Sequence, residues 1–397
     1  MTKNNSPQTS KPSAGMWLKG FLHTGLRSGW LVALLAVIFA FLIGAILIVI
    51  AGANVGEAYY AMFRGAIFDP QARNFTRAIL PLTNTLVYAA PLIIAGLGLG
   101  FGFQAGLFNI GGTGQLLFGA IGAIWVATKL TLPVGVHLLV ALLVAMLAGG
   151  LYAGIAGFLK AKTGANEVII TIMLNSIAAL AMAYLLSLPY WQAASSNNPQ
   201  TAVASPTAQL PMLLPAPFKL HSGIIIAILA TVIYWWVLQR STFGFELRAV
   251  GANHHAAHTA GMSIARVTTL TMVGSGIFLG LAGANQALGT LGYVTAGIAG
   301  SIGFDAITVA LLGRNKPLGI FFSGLLFGAF QAGGYAMQTR DVPIDMILIL
   351  QSLIVLFIAA PALVRFIVRL PKPDGKTLRE YVATISEAQS TAKGEVA

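Results

Sequence analysis

The chain contains no cysteine, which excludes disulfides, thiolate metal sites and cysteine nucleophiles. Charge is almost as scarce. Asp, Glu, Lys and Arg make up 9% of the 397 residues, against roughly 25% in an ordinary soluble domain. Acidic residues are rarest, eleven in all, and no paired carboxylates or His-Glu-x-x-His run suggests hydrolytic or zinc chemistry. A phosphate-binding loop is missing too. Gly375-Lys376-Thr377 has the right ending, but Leu370 stands where the first glycine belongs and no strand precedes it. His254 and His258 share a helical face with His255 beside them, yet no carboxylate adjoins them, so a solvated helix explains them better than a metal site. The chain is therefore expected to be no enzyme and to bind no metal or cofactor itself.

What is abundant is apolar surface. Hydrophobic residues make up 57% of the chain and its mean hydropathy is +0.81, so lipid is the expected solvent for most of it. The net charge of +12 does not imply a nucleic-acid partner. The basic residues lie between apolar runs and at the termini, not as a stripe on one face. The polar head, 1–29, reads as a cytoplasmic extension rather than a cleaved leader, because the run from Trp30 to Gly52 is long enough to span a bilayer.

Apolar runs predict about ten membrane helices, near 30–52, 79–103, 107–128, 134–158, 168–188, 222–239, 267–289, 291–312, 318–337 and 346–366. These give three segments: the 1–29 extension, a 30–366 transmembrane domain and a 367–397 tail. Glycine-rich stretches at 96–114 and 289–303 predict broken helices in the second, third and eighth spans. With both termini in the cytoplasm, the basic residues divide unequally. Lys3, Lys11, Lys19, Arg27, Lys160, Lys162, Arg240, Arg248, Arg266, Arg314, Lys316, Arg365, Arg369, Lys372, Lys376, Arg379 and Lys393 fall inside. Only Arg64, Arg73, Arg77, Lys129, Lys219 and Arg340 fall outside, the asymmetry expected of a bacterial inner-membrane protein. Residues 132–150 also match 316–334 without a gap, pairing Pro133 with Pro317, Gly135 with Gly319 and Ala148-Gly149-Gly150 with Ala332-Gly333-Gly334. In this topology the two copies run in opposite directions, an inverted repeat of the kind found in transporters.

A transporter needs energy, and the spans offer little for ion coupling, which generally uses intramembrane ionisable groups. Only Asp305 among the acids falls well within a span. Glu167 and Glu246 lie at the cytoplasmic boundary, and Glu57, Asp69, Asp341 and Asp345 lie outside. A separate motor subunit is the simpler expectation. The internal loop 240–266 offers it a handle: Asn253 is a good N-cap, His254 to Ala260 form two turns, and Gly261 is a stop.

Four stretches carry a family resemblance: Phe108-Asn109-Ile110-Gly111 with Gly114-Gln115; Asn166-Glu167-Val168-Ile169 running to Thr171-Ile172-Met173-Leu174-Asn175; Arg248-Ala249-Val250-Gly251-Ala252-Asn253 with Ala256-Ala257 and Ala260-Gly261; and Gly303-Phe304-Asp305-Ala306-Ile307 running to Leu312-Gly313. Together, over roughly 80–365, they resemble the permeases of ATP-binding cassette (ABC) importers for branched-chain amino acids and simple sugars, in the nucleoside-type branch. The resemblance implies a ten-span permease fold like that of the vitamin B12 importer. It also implies a second permease subunit, two cytoplasmic ATPase subunits that use the ATP, and an extracytoplasmic solute-binding lipoprotein. Asn253, His254, Ala256, Ala257, Ala260 and Gly261 become the ATPase-coupling helix. Thr113 departs from a position where the branch usually carries an acid, and His254-His255 replace a proline–acid pair.

Candidates for the solute path are Asn109, Gln115, Asn175, Gln286 and Asp305, with Asn285 beside them and Phe103, Phe108 and Tyr293 as apolar faces. Each amide has a second reading as a helix–helix hydrogen bond. Asp305 is either a pathway or subunit-contact residue, or a helix-terminus residue. A nucleoside is the expected solute, with a pentose-type sugar or an ion-coupled secondary transporter as alternatives.

Overall fold

The computed structural model describes residues 29–193, 198–339, 343, 345–369, 380 and 383. The 1–28 extension with its four basic residues, Arg340, Asp341, Leu370, Lys372, Gly375-Lys376-Thr377, Arg379 and Lys393 lie outside the described residues. In chain order the helices are α1 Gly29–Ile50, α2 Val55–Ala66, α3 Phe75–Gln104, α4 Gly112–Lys129, α5 Val136–Thr163, α6 Glu167–Ser187, α7 Gly223–Arg240, α8 Thr242–Ala252, α9 His254–Thr259, α10 Ile264–Asn285, α11 Ile302–Leu312, α12 Pro317–Gln338, α13 Asp345–Ala359 and α14 Pro361–Val368. A π turn, Gln286–Thr290, extends α10. Among the described residues β pairing is limited to isolated bridges.

Among the described residues six helices are long and apolar enough to cross a membrane: α3, α5, α6, α7, α10 with its π turn, and α12. The chain is a multi-pass α-helical protein. Two expected spans come out shorter than their apolar runs. Only 302–312 of the 291–312 run is helical, and the 346–366 run is divided between α13 and α14. At that division Pro361, which lacks an N–H and disfavours α geometry before it, leaves Ala360 at φ −112°, ψ 66°. The 79–103 run is unbroken despite Pro81 and Pro91; irregular backbone begins after it, at 105–111.

The described residues fall into two compact units, one within 1–47 and 348–397 and one within 48–347. In the first, Phe39 of α1 and Phe357 of α13 pack with ring centroids 6.0 Å apart. The second contains the whole of the candidate site.

Helix ends in an apolar medium cannot leave backbone N–H groups to water, and short polar side chains cap them. Asn54, Asn74 and Asn253 each accept from the N–H three residues on, at 3.0–3.2 Å. Asn166 accepts from Val168 at 2.9 Å and Ser241 from Gly244 at 2.9 Å. Two of these caps mark helices that the apolar runs do not predict. The Asn54-x-x-Glu57 pattern begins α2, which buries Ala58, Ala61 and Met62 and sets Met62 against Gly333 of α12. Ser241 begins α8, which buries Leu247 and Val250 at i, i+3 spacing.

The most extensive helix pairs are α5 with α10 and α3 with α12. Glycines bring the backbones together. A β-carbon on Gly149 of α5 would stand 2.5 Å from the Gly276 carbonyl oxygen of α10, and one on Gly328 of α12 would stand 2.7 Å from the backbone nitrogen of Ala89 on α3. Where lipid supplies no hydrophobic drive between helices, such close approach supplies the dispersion contact. In the matched segments the glycine pairs have different partners: Gly149 and Gly150 pack on α10, and Gly333 packs on Met62 of α2.

The helices α4 and α11 meet at their first turns. A β-carbon on Gly112 would lie 3.0 Å from the Gly303 carbonyl oxygen, and one on Gly303 would clash with Thr113. From there they diverge. α4 ends beside the 188–222 loop, where Lys129 Nζ donates to the Tyr190 carbonyl at 2.6 Å and the Ser205 N–H to the Ala127 carbonyl at 3.0 Å. α11 ends at the opposite extremity, where the Asn315 carbonyl accepts from Gln104 Nε2 at 3.0 Å and Tyr234 Oη at 2.9 Å. The bundle accordingly has a loop end, carrying 188–222, and a short-helix end, carrying α8 and α9.

Candidate functional site: a polar cavity at the π turn

The sequence-predicted path residues fall into two groups. Asn109, Gln115 and Asn175 form a clasp at the start of α4. Asn109 is fully buried; its Nδ2 donates to Gln115 Oε1 at 3.0 Å and Ser275 Oγ at 2.9 Å. Its Oδ1 accepts from the Gly111 N–H at 2.9 Å and Gln115 Nε2 at 3.0 Å. Asn175 Oδ1 accepts from the Gly114 N–H at 2.8 Å, while its Nδ2 donates to the Ile110 carbonyl at 2.9 Å. These amides satisfy one another and the first turn of α4. In an apolar interior, that removes the penalty of about 1–3 kcal/mol carried by each unpaired polar group.

Gln286 belongs elsewhere. It opens the π turn, and its Oε1 is buried without a hydrogen-bond partner. Asn285, one residue earlier, is fully buried with both amide atoms unpartnered. Gln286 lines a cavity of about 570 Å³ at the loop end of the bundle. Asn84, Tyr88 and Pro91 of α3, Gln331 and Tyr335 of α12, Thr290, and Ser301 complete its polar and aromatic wall. The Tyr88 and Tyr335 rings stand 5.6 Å apart, tilted by 34°, a spacing at which aromatic pairs attract. Among the described residues Lys219 is the one charged side chain in the lining. Asp305 is not part of the wall, but its Oδ2 accepts from Ser301 Oγ at 2.6 Å and so holds a hydroxyl that is. It lies in the first turn of α11, where backbone N–H groups favour a carboxylate.

The wall is braced from the loop. Buried His221 accepts from the Gly223 N–H at Nδ1, 3.1 Å, and its Nε2 reaches Thr290 Oγ1 at 3.4 Å. Burial pushes its pKa down from 6.5 to about 4, so the ring is neutral near pH 7. Backbone bonds from Thr201 to Val294, Ala204 to Gly292 and Leu210 to Leu288 tie the loop to the segment after α10.

Asn84, Tyr88, Gln331, Tyr335 and Lys219 were not foreseen from sequence. Their signal is present: Asn84/Tyr88 and Gln331/Tyr335 repeat one amide–tyrosine pair at i, i+4 within apolar helices, which places each pair on one face. Phe103 and Phe108 pack against each other, tilted, with ring centroids 5.0 Å apart, and neither they nor Tyr293 are in its lining.

At the short-helix end α9 forms where expected, with Asn253 as its cap. Asn253, His254, Ala256, Ala260 and Gly261 are exposed, whereas Ala257 is buried against the chain's own bundle. Among the described residues no cluster of three metal-ligating side chains occurs.

Residues 82–359 match the family model described as branched-chain amino acid transport system / permease component. The chain belongs to this permease family. It is 38% identical over 355 residues to the guanosine ABC transporter permease protein NupP of Bacillus subtilis, covering 87% of this chain and 97% of the relative. It is 35% identical to the glucose ABC transporter permease protein TsgB13 of Haloferax volcanii, covering 82% of this chain and 85% of the relative. The nucleoside ABC transporter permease protein NupB of Lactococcus lactis is 33% identical, with 89% and 96% covered. No solved structure matches the chain significantly.

Proposed function

We propose that this permease is the membrane-spanning subunit of an ABC importer for nucleosides. The observation that carries the solute reading is the cavity beside the π turn. Its amides, hydroxyls and paired tyrosines suit a ligand with an aromatic base and a hydroxylated sugar, and among the described residues it holds no acidic side chain. Relatives named for guanosine and nucleosides support the same class. Glucose is the second reading, supported by the Haloferax relative.

In this reading the 30–366 region makes about ten crossings in an inverted repeat of the vitamin B12-importer type. The exchange of α5–α10 for α3–α12, and the opposed courses of α4 and α11, support that symmetry. Both termini and the short-helix end are cytoplasmic in a bacterial inner membrane. A second permease and two ABC ATPases complete the motor, and an extracytoplasmic lipoprotein delivers solute to the loop end. This chain binds no cofactor; its partners consume the ATP. Gln286 contacts solute, Asp305 positions Ser301, and Asn109, Gln115 and Asn175 keep the path's shape. The exposed face of α9 meets the ATPase, so Ala256→Arg is the informative substitution there. It should abolish uptake without loss of folded protein, while normal uptake would remove α9 from the coupling role.

Reconstitution with these partners and labelled guanosine, ribose, glucose and a nucleoside monophosphate tests the solute. Guanosine should be transported and the monophosphate refused. Transport of a sugar with guanosine excluded would move the chain to the sugar branch, and uptake of the intact monophosphate would refute the neutral-solute reading.

A further inference from the structure

A second cavity, of about 720 Å³, lies at the short-helix end between the end of α7, α8 and the turn entering α10. Its charged lining is Arg240, Arg248 and Arg266 against Glu246 alone, with Ser241, Thr242 and Ser263 among its hydroxyls. Arg248 is held by its Nε, which donates to the Gly244 carbonyl at 3.2 Å, leaving the outer part of the guanidinium to face the groove. The Arg240 guanidinium carbon stands 6.0 Å over the Trp235 ring.

Position gives the groove its meaning. α7 ends at Arg240 and α10 begins at Ile264, and both are candidate membrane spans. The groove therefore sits where hydrocarbon gives way to headgroups; exposed Phe245 lines it, and exposed Trp235, beneath Arg240, adjoins it. Tryptophan at this level is characteristic of the membrane interface. Planar guanidinium groups match phosphate oxygens in bidentate geometry. We propose that this groove binds the headgroup of an anionic phospholipid, its phosphate between Arg248, Arg240 and Arg266 and its acyl chains against α7 and α10. A water-facing protein partner fits less well, because it would leave the apolar rim uncovered; the exposed first turn of α9, Asn253 to Ala256, is the surface for that partner and lies outside the groove lining, which α9's end shares through Ala260 and Gly261.

The full chain is taken from vesicles of phosphatidylcholine and phosphatidylglycerol in equal parts, and retained lipid is measured by native mass spectrometry. Phosphatidylglycerol should be retained over phosphatidylcholine. Arg240→Gln, Arg248→Gln and Arg266→Gln should each weaken retention about fivefold at low salt, and less at high salt. Lys162→Gln, a basic change outside the groove, should leave retention unchanged. Glu246→Gln should raise it, an increase that misfolding would not produce. Equal retention of both lipids, or a triple glutamine variant that still selects phosphatidylglycerol, overturns the proposal. So does a triple variant that keeps its lipid but no longer co-purifies with ATP-hydrolysing subunits, which would assign the groove to the motor.

Discussion

The clasp at the start of α4 and the wall at the π turn use the same chemistry to opposite ends. Both place carboxamides in an apolar bundle. In the clasp all four polar atoms of Asn109 and Gln115 that the structure pairs are turned on each other, on Ser275 or on the backbone. At the π turn, Asn285 and Gln286 hold acceptors and donors with no protein partner. A wider helical turn shifts the register of the residues after it, and such turns recur at functional sites. The lesson is that amide identity does not distinguish closure from reception; the partner list does.

The sharpest way to break this comparison is to remove one amide from each side. Asn109→Leu strands the Gly111 N–H, the Gln115 amide and Ser275, so thermal unfolding in detergent should show a loss of about 4 kcal/mol. Unfolding like the parent would mean that the clasp is not structural. The next largest effect concerns the brace of the open wall. His221 has its pKa depressed to about 4, and its contacts with Gly223, Gly289 and Thr290 are not titratable. The unfolded chain takes up the proton near pH 6.5 and the folded one only near pH 4, so stability falls as pH drops between those values. The loss reaches about 3 kcal/mol at the lower limit. His221→Asn should flatten that slope in stability measured from pH 7 to pH 4; an unchanged slope would place the titrating group elsewhere.

Smaller effects belong to reception itself. Gln286→Leu should leave unfolding nearly unchanged, because an acceptor without a partner is lost, yet slow uptake about fivefold at low solute, the equivalent of one hydrogen bond. A stability loss like that of Asn109→Leu would erase the distinction between the two sites. Tyr335→Leu should raise KM a few-fold by removing one ring of the Tyr88 pair, while Tyr335→Phe retains most of the affinity. Equal defects in both would assign the effect to the hydroxyl instead.

Much of this architecture was readable in the residues. Apolar runs placed the long helices, and Asn253 announced α9. The short helices α2 and α8 escaped because they are not apolar runs; their signals were the caps Asn54 and Ser241. The cavity escaped for a different reason. Which of several intramembrane amides finds a partner depends on distances between residues as far apart as Asn109 and Ser275, and spacing along the chain does not encode them.

The head-to-head meeting of α4 and α11 has a mechanical consequence. Gly112 meets Gly303 backbone to backbone, with the short Thr113 side chain pressed against Gly303, so the joint has little soft layer to absorb movement. Thrust on α11 from the Asn315 end would arrive at α4 as nearly rigid displacement, carrying Lys129 and the loop it holds. The bundle thereby contains a stiff push-rod in two pieces whose slack is confined to the irregular backbone at 105–111 and 291–301. Lengthening either of those stretches should uncouple the two ends more effectively than weakening any single helix contact.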